Sequence, residues 1–185
     1  MRRTILRGSL CVLGTLSLTV LAGPIQGQAL PDDVMTVLTH RVGHWVGHND
    51  VLDADGAVVR VTAEVHDAQL VLNAQIVEIR GHIEGHEDFR AFLLYNPSIA
   101  RYIYTTIDRT NNHVVMTADR TDPYRFRSNP IALPDGSSLL FRLVFETVSD
   151  ARLEGYGEAS MDGGVTWRRV YNQVLERRER GEDAL

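Results

Sequence analysis

Hydrophobic and polar residues alternate along most of the chain, which is the pattern of β-strands that bury one face. In residues 138–147 every second position is large and apolar: Leu139, Phe141, Leu143 and Phe145. In residues 58–66 apolar positions alternate with polar ones: Arg60, Thr62, Glu64 and His66. The alternation predicts about ten strands, at residues 42–53, 58–66, 70–83, 89–95, 101–108, 113–119, 124–131, 138–147, 151–161 and 165–177.

Short turn sequences separate these predicted strands, among them Asp-Ala-Asp-Gly at 53–56, Asn-Pro-Ser at 96–98 and Leu-Pro-Asp-Gly at 133–136. Turns of this length join antiparallel neighbours rather than βαβ units. A meander of about ten strands has exposed edges unless the sheet closes on itself. We therefore predict an all-β fold, a closed antiparallel up-and-down β-barrel of about ten strands.

Residues 30–41 predict one short helix before the first strand. Pro31 stands at its start and two aspartates follow in the first turn, where they favour the helix dipole. An apolar stripe is formed by Val34, Leu38 and either Val37 or Met35. We expect this helix to lie across one end of the barrel.

The first residues predict a secretory signal peptide at 1–29 rather than part of the fold. Arg2, Arg3 and Arg7 precede an apolar run at 10–22, and the small residues Gly27 and Ala29 stand where a signal peptidase cuts. The run is short for a membrane span, so a retained anchor is the lesser alternative. We expect a periplasmic or secreted barrel domain at 30–177, a charged tail at 178–185, and no integral membrane segment after cleavage.

Composition narrows the possible chemistry. The only cysteine, Cys11, lies in the predicted signal, so the mature chain has no disulfide and no thiol nucleophile. The formal net charge is −5 and becomes more negative when the signal is removed, which disfavours nucleic acid as a partner. The 19 basic residues of the lysine and arginine class are all arginines, so no lysine is available as a Schiff-base residue.

The first predicted strand carries Trp45 between Gly43 and Gly47, all on one face. With the helix before it and the meander after it, this Gly-x-Trp strand resembles the calycin superfamily of lipocalin-like barrels. The chain is more closely similar to a bacterial family known only as a domain of unknown function. The further motifs that carry this resemblance are Tyr-Asn-Pro at 95–97 and Ser-x-Asp-Gly-Gly-x-Thr-Trp at 160–167.

This resemblance implies that a small apolar ligand binds inside the barrel. It also implies that a basic residue of the last strand packs over Trp45, with Arg177 as the first candidate and Arg169 as the second. The predicted ligand-binding residues are the aromatic side chains expected to face inward: Trp45, Tyr102, Tyr104, Phe141, Trp167 and Tyr171, with Phe145 beside them.

We therefore expect an exported barrel that binds a small apolar or amphipathic molecule, with one or two arginines to orient an anionic head. The alternative is a non-enzymatic accessory or interaction protein whose barrel is packed with these same side chains. The sequence leaves the oligomeric state open.

Other candidate sites are weaker. The 160–167 segment also fits the Asp-box of sialidase propellers, but a single copy favours a plain hairpin turn around Asp162. His82 and His86 flank a turn with Glu84, Glu87 and Asp88 and could bind zinc or copper, although solvated loop histidines are the commoner case. We predict no metal site.

Haem is a lesser alternative. The fold resemblance extends to the nitrobindins, ten-stranded barrels that hold haem through one histidine, and His113 begins a strand and could point inward. For catalysis no Gly-x-Ser-x-Gly elbow is present, and the carboxylates are expected in turns and on outward faces. We predict no catalytic residue and favour a protein that is not an enzyme.

Overall fold

The computed structural model describes residues 29–84, 88–110 and 112–180, which contain one helix and eleven strands. The helix is α1 (Asp32–His40). The strands are β1 (Gly43–Leu52), β2 (Val58–Val71), β3 (Ile76–Ile83), β4 (Phe89–Asn96), β5 (Arg101–Asp108), β6 (His113–Asp119), β7 (Arg125–Ser128), β8 (Ile131–Ala132), β9 (Ser138–Val148), β10 (Arg152–Ser160) and β11 (Arg168–Arg178).

Ten of these strands close into a ring. Each pairs antiparallel with its neighbour in the chain from β1 to β7, β7 pairs with β9, and the series continues through β10 and β11 back to β1. The two-residue strand β8 pairs only with the start of β9 and lies outside the ring. The predicted closed, antiparallel, up-and-down barrel of about ten strands is confirmed, and so is its short N-terminal helix.

The apolar stripe of α1 packs against the barrel interior. Val34, Val37 and Leu38 are buried, and they cluster with inward-facing residues of β3 and β4 such as Ile79 and Leu93. The stripe therefore runs through Val37, whereas Met35 is only partly buried. A helix that presents apolar residues at i, i+3 and i+4 buries one face in this way.

The predicted strand at 70–83 is wrong, because a hairpin turn divides it. β2 continues to Val71, and Leu72, Asn73 and Ala74 all have positive φ angles, of 49°, 56° and 63°. The amide of Gln75 then bonds the carbonyl of Val71 at 3.2 Å, and β3 begins at the next residue. Left-handed turns normally use glycine, and this turn contains neither glycine nor proline.

The predicted strand at 124–131 is also shorter than expected. β7 ends at Ser128, and the chain passes through Asn129 and Pro130 before the brief β8. Proline has no N–H for a ladder bond, so it ends the pairing there.

The predicted signal peptide falls almost entirely on residues outside the described part of the chain, and so does most of the predicted tail. Within that tail Arg178 ends β11, and Arg180 bonds Asp67 of β2 at 3.0 Å. Among the described residues no helix has the length and apolar character needed to cross a membrane.

Candidate ligand-binding cavity

The barrel interior is filled with side chains at one end and open at the other. Next to α1 it holds a dense core that includes Val77, Ile79, Tyr95 and Tyr102. Beyond this core lies a cavity of about 1050 Å³. Barrels of about eight strands are nearly filled by their own side chains, and ten strands enclose a wider interior.

One wall of the cavity is apolar. It is formed by residues of β6, β8 and β9 and includes the whole face predicted for β9: Val114, Met116, Ile131, Leu139, Phe141, Leu143 and Phe145. Another wall is polar and buried, and its side chains come from β1, β2 and β11: Asn49, Thr62, Glu64, His66 and Gln173. In the ring of ten strands β1 lies five strands from β6 and three strands from β9.

This polar wall corrects the expectation that the carboxylates lie on outward faces. In β2 the residues Thr62, Glu64 and His66 are buried in the interior, whereas Val59 and Val61 are 61% and 58% exposed. Period-2 alternation defines two faces of a strand but not which one faces inward. A polar face can line a cavity, since its groups can bond each other and a ligand.

The orientation of β2 follows from its register with β1. Asn49 shares the face of Trp45, because the two positions are four residues apart on one strand. The turn at 53–57 pairs Leu52 with Val58, and a register shift between Val51 and Leu52 then pairs Asn49 with Thr62 and Trp45 with His66. Placing Trp45 inside therefore also places the polar face of β2 inside.

Glu64 is the centre of the polar wall and accepts hydrogen bonds from three side chains. His66 Nε2 lies 2.6 Å from its Oε1, while Asn49 Nδ2 and Gln173 Nε2 lie 2.6 Å and 2.8 Å from its Oε2. Burial acts to raise the pKa of Glu64, but His66 and the two amides together outweigh it, so that the pKa lies below its ordinary value. The carboxylate is therefore ionised and held in place at neutral pH.

Arg41, just after α1, also lines the cavity. Its side chain is 5% exposed, and its guanidinium carbon lies 4.3 Å from the centroid of the Phe145 ring. Burial lowers the pKa of Arg41 from its ordinary value, and nearby Tyr104 and Glu64 act in the opposite direction. Sequence reasoning missed this residue, because a single arginine between a helix and a strand carries no pattern.

Two solvent-inaccessible polar atoms, on residues that line the cavity, have no hydrogen-bond partner among the described residues. They are Nη1 of Arg41, a donor, and Oδ1 of Asn49, an acceptor. The Asn49 assignment follows from its neighbour, since the Glu64 carboxylate can only accept and therefore faces the amide nitrogen. A third such atom, Nε of Arg177, lies outside the cavity lining.

Three of the six predicted site residues line this cavity: Tyr104, Phe141 and Tyr171. The rings of Phe141 and Tyr171 are stacked with their centroids 6.2 Å apart. Burial raises the pKa of both tyrosines. The predicted neighbour Phe145 lines the cavity as well.

The other three predicted residues lie elsewhere. Trp45 is buried in the closed end, where its Nε1 donates to the carbonyl of Arg41 at 3.1 Å. Arg177 stacks on the Trp45 indole at 4.7 Å, so the first candidate for this role is confirmed, whereas Arg169 lies over Tyr156. Tyr102 packs on Tyr95 in the core near α1, 5.1 Å between ring centroids.

Trp167 lies outside the cavity lining, and the guanidinium carbons of Arg142 and Arg127 lie 4.3 Å and 5.4 Å from its ring centroid. It follows the turn around Asp162, whose carboxylate accepts bonds from the backbone amides of Val165 and Thr166. The interpretation of 160–167 as a hairpin turn held by an aspartate is therefore confirmed.

The histidines are dispersed. His66 lines the cavity, whereas His113 is exposed and its Nε2 lies 3.0 Å from Oγ1 of Thr105. His82 pairs with Asp88 at 2.8 Å, and the other histidine of that turn is outside the described residues. Within the described ranges no three metal-ligating side chains come together.

The fold and the site define a closed ten-stranded antiparallel barrel with a two-sided cavity at one end. A chain of this shape is known: the crystal structure of Rv2717c from M. tuberculosis matches with a TM-score of 0.56 and 10% sequence identity. The match covers 82% of this chain and 100% of that one, and at this identity it shows the fold alone. No known family profile and no curated protein matches the sequence.

Proposed function

We propose that this protein binds a small amphipathic molecule in the barrel cavity. The observation that carries the proposal is the pairing of an apolar wall with a buried polar wall around about 1050 Å³. Small-molecule sites are concave, largely apolar, and carry a few precisely placed polar groups. The apolar wall would contact the body of the ligand, and the polar wall would contact its head.

Several features support binding over the alternative of a packed accessory barrel. Tyr104, Phe141 and Tyr171 border an open volume instead of filling it. The buried Arg41 and Asn49 each keep one polar atom free of any partner among the described residues. Such groups cost free energy in an interior unless something bonds them.

We further infer a relation to the calycin-like barrels, supported by the Gly-x-Trp strand and by Arg177 over Trp45. We propose that the protein acts in the periplasm or outside the cell, on the strength of the basic and apolar pattern at 1–29. N-terminal sequencing of the exported protein checks this. A chain that begins at Leu30 supports it, and a chain that keeps Met1 and is recovered in the cytoplasmic fraction contradicts it.

The binding proposal is tested on protein purified from its own compartment. Native mass spectrometry should show an added small mass that denaturation removes, and an absorbance scan with a Soret band would identify that mass as haem. In parallel, a thermal-shift screen of fatty acids, fatty amides, aromatic acids and haem should give at least one stabilising compound. An empty protein that no compound stabilises would favour the packed accessory barrel instead.

A further inference from the structure

The inner end of the cavity is marked by the last cavity-lining residue of each strand. On β2 this residue is His66, because the next inward position, Ala68, belongs to the packed core. On β5 it is Tyr104, and Tyr102 beyond it belongs to the core as well. His66 therefore lies on the floor of the cavity, next to the closed end of the barrel.

The Glu64 carboxylate determines the hydrogen-bonding character of each ring nitrogen of His66. Nε2 of His66 lies 2.6 Å from Oε1 of Glu64. The ionised carboxylate can only accept, so Nε2 carries the proton. In the neutral imidazole, Nδ1 is then left as an acceptor with a free lone pair.

Nδ1 of His66 is open to the cavity. It has no hydrogen-bond partner in the part of the chain that the structure describes. The buried side-chain atoms there that lack a partner and are also closed to solvent belong to Arg41, Asn49 and Arg177, and Nδ1 of His66 is not one of them. Because His66 lines the cavity from inside the barrel, a small polar group in the cavity can reach Nδ1.

The charges near the floor favour a neutral head group. The guanidinium of Arg41 and the carboxylate of Glu64 are both buried, and they interact electrostatically. Their formal charges cancel, so a charged head would enter this buried region without a counter-ion of its own. A neutral head avoids that cost, but it must donate to Nδ1, because a buried acceptor that exchanges water for no donor costs free energy.

We propose that the ligand's head is a neutral hydrogen-bond donor, such as the hydroxyl of an alcohol or a phenol, and that it lies on the cavity floor with its hydrogen directed at Nδ1 of His66. The body of the ligand then extends along the apolar wall toward the open end. The inference rests on the proposed function, since it names the class of ligand for the same cavity. It assigns the head to a histidine, whereas the sequence led us to expect an anionic head held by arginine.

Three matched probes test the head group on the wild-type protein: n-octanol, its methyl ether and octanoate. The alcohol is a neutral donor, the ether has no donor, and octanoate is charged. Their affinities are measured at about pH 8, which keeps imidazole uncharged, by displacement of the fluorescent dye N-phenyl-1-naphthylamine. We expect n-octanol to bind at least about tenfold more tightly than either of the others. The ether is more apolar than the alcohol, so apolar contact alone would favour the ether.

A variant assigns this preference to His66. In His66→Phe, which keeps an aromatic ring beside Phe89, the ratio of the alcohol and ether affinities should fall to one or below. In His48→Phe, the same change at a partly exposed position on the outer face of β1, the ratio should not change. Because the readout is a ratio within one variant, a change in stability does not mimic it.

A second measurement needs no variant. In the wild-type protein with ¹⁵N-labelled histidine, saturation with n-octanol should shift the NMR resonance of one unprotonated Nδ1 upfield, because that nitrogen accepts a new hydrogen bond. Saturation with the methyl ether should leave the same resonance in place.

The possible failures are distinct. If the dye binds but the ether or octanoate displaces it as well as n-octanol does, or if no probe displaces it, the head-group inference is overturned and the binding proposal stands. A preference for n-octanol that His66→Phe leaves intact also overturns it, and so does an Nδ1 resonance that saturating n-octanol does not move. If neither the dye nor any probe binds, both proposals fail.

Discussion

Nε2 of His66 lies 2.6 Å from Oε1 of Glu64, and both side chains are buried inside the barrel. They are two residues apart on β2, so they share one face of the strand and meet across a single pleat. With the amides of Asn49 and Gln173, the pair forms a polar network in which the carboxylate oxygens bond three donors. The polar wall therefore contributes to the stability of the fold as well as to the proposed site.

Replacing Glu64 by leucine should lower the free energy of unfolding by about 2–4 kcal/mol, because three buried donors lose their acceptor. Glu64→Gln should cost less than half of that, since an amide oxygen can serve Asn49 and Gln173 while a change of tautomer lets His66 accept. Urea denaturation measures both. The matched control is Glu146→Leu on the outer face of β9, which should change stability by no more than about 0.5 kcal/mol.

The same carboxylate predicts a dependence of stability on acid. The pKa of Glu64 in the folded protein lies below its ordinary value of 4.5, so its contribution is present above that pH and is lost as the pH falls through the folded-state pKa. Urea midpoints between about pH 7 and about pH 3 should fall more steeply in the wild type than in Glu64→Gln. If the urea midpoints of the two proteins fell equally with pH, the Glu64 carboxylate would not be the group that causes the acid dependence.

Arg177 is expected to stabilise the closed end of the barrel through its stacking on Trp45. Arg177→Met should lower the free energy of unfolding by about 1–2 kcal/mol, the range of a partly desolvated cation–π contact. Arg101→Met is the control, because Arg101 forms an exposed ion pair with Asp119 on β6 and should contribute less than about 0.5 kcal/mol. Equal losses in the two variants would show that the stacking has no special role.

The sequence predicted the strands best where turn residues flank them. The predicted bounds of β5 and β6 agree with the structure, because Asn96-Pro97 and the asparagine-rich turn at 110–112 mark their ends. The turn after Val71 was missed, since Leu72 and Ala74 seldom adopt positive φ angles and so give no turn signal.

The site was only half predictable, for a physical reason. Large alternating apolar residues such as Phe141 identify an inward strand face, so the apolar wall of the cavity was expected. The inward orientation of the polar wall depends on the register between β1 and β2, and the position of Arg41 depends on how α1 packs. Both are set by the tertiary structure and not by the local sequence. Trp167 was misplaced because an aromatic residue near a turn can stack on arginines outside the cavity as well as face inward.

The turn that precedes Trp167 should depend on the Asp162 carboxylate. Its bonds to Thr166 hold the pKa of Asp162 well below its ordinary value, so the interaction persists until strongly acidic pH. In Asp162→Ala the amides of Val165 and Thr166 should exchange with deuterium severalfold faster, because they lose their acceptor. Asp135→Ala, in the turn before β9, should affect Ser137 and leave the 160–167 segment unchanged.

Narrowing the cavity should weaken binding without loss of the fold. Val114 lines the apolar wall and Val115 points to the other face of β6. Val114→Trp should weaken binding of N-phenyl-1-naphthylamine at least about tenfold and leave the unfolding free energy equal or higher, because the indole enters open volume.

Val115→Trp adds the same ring on the outside and should leave the affinity unchanged. Dye titration with urea denaturation measures both quantities. Undiminished binding by Val114→Trp would show that the dye does not occupy the part of the cavity beside Val114, whereas a loss in both variants would indicate a general disturbance of β6.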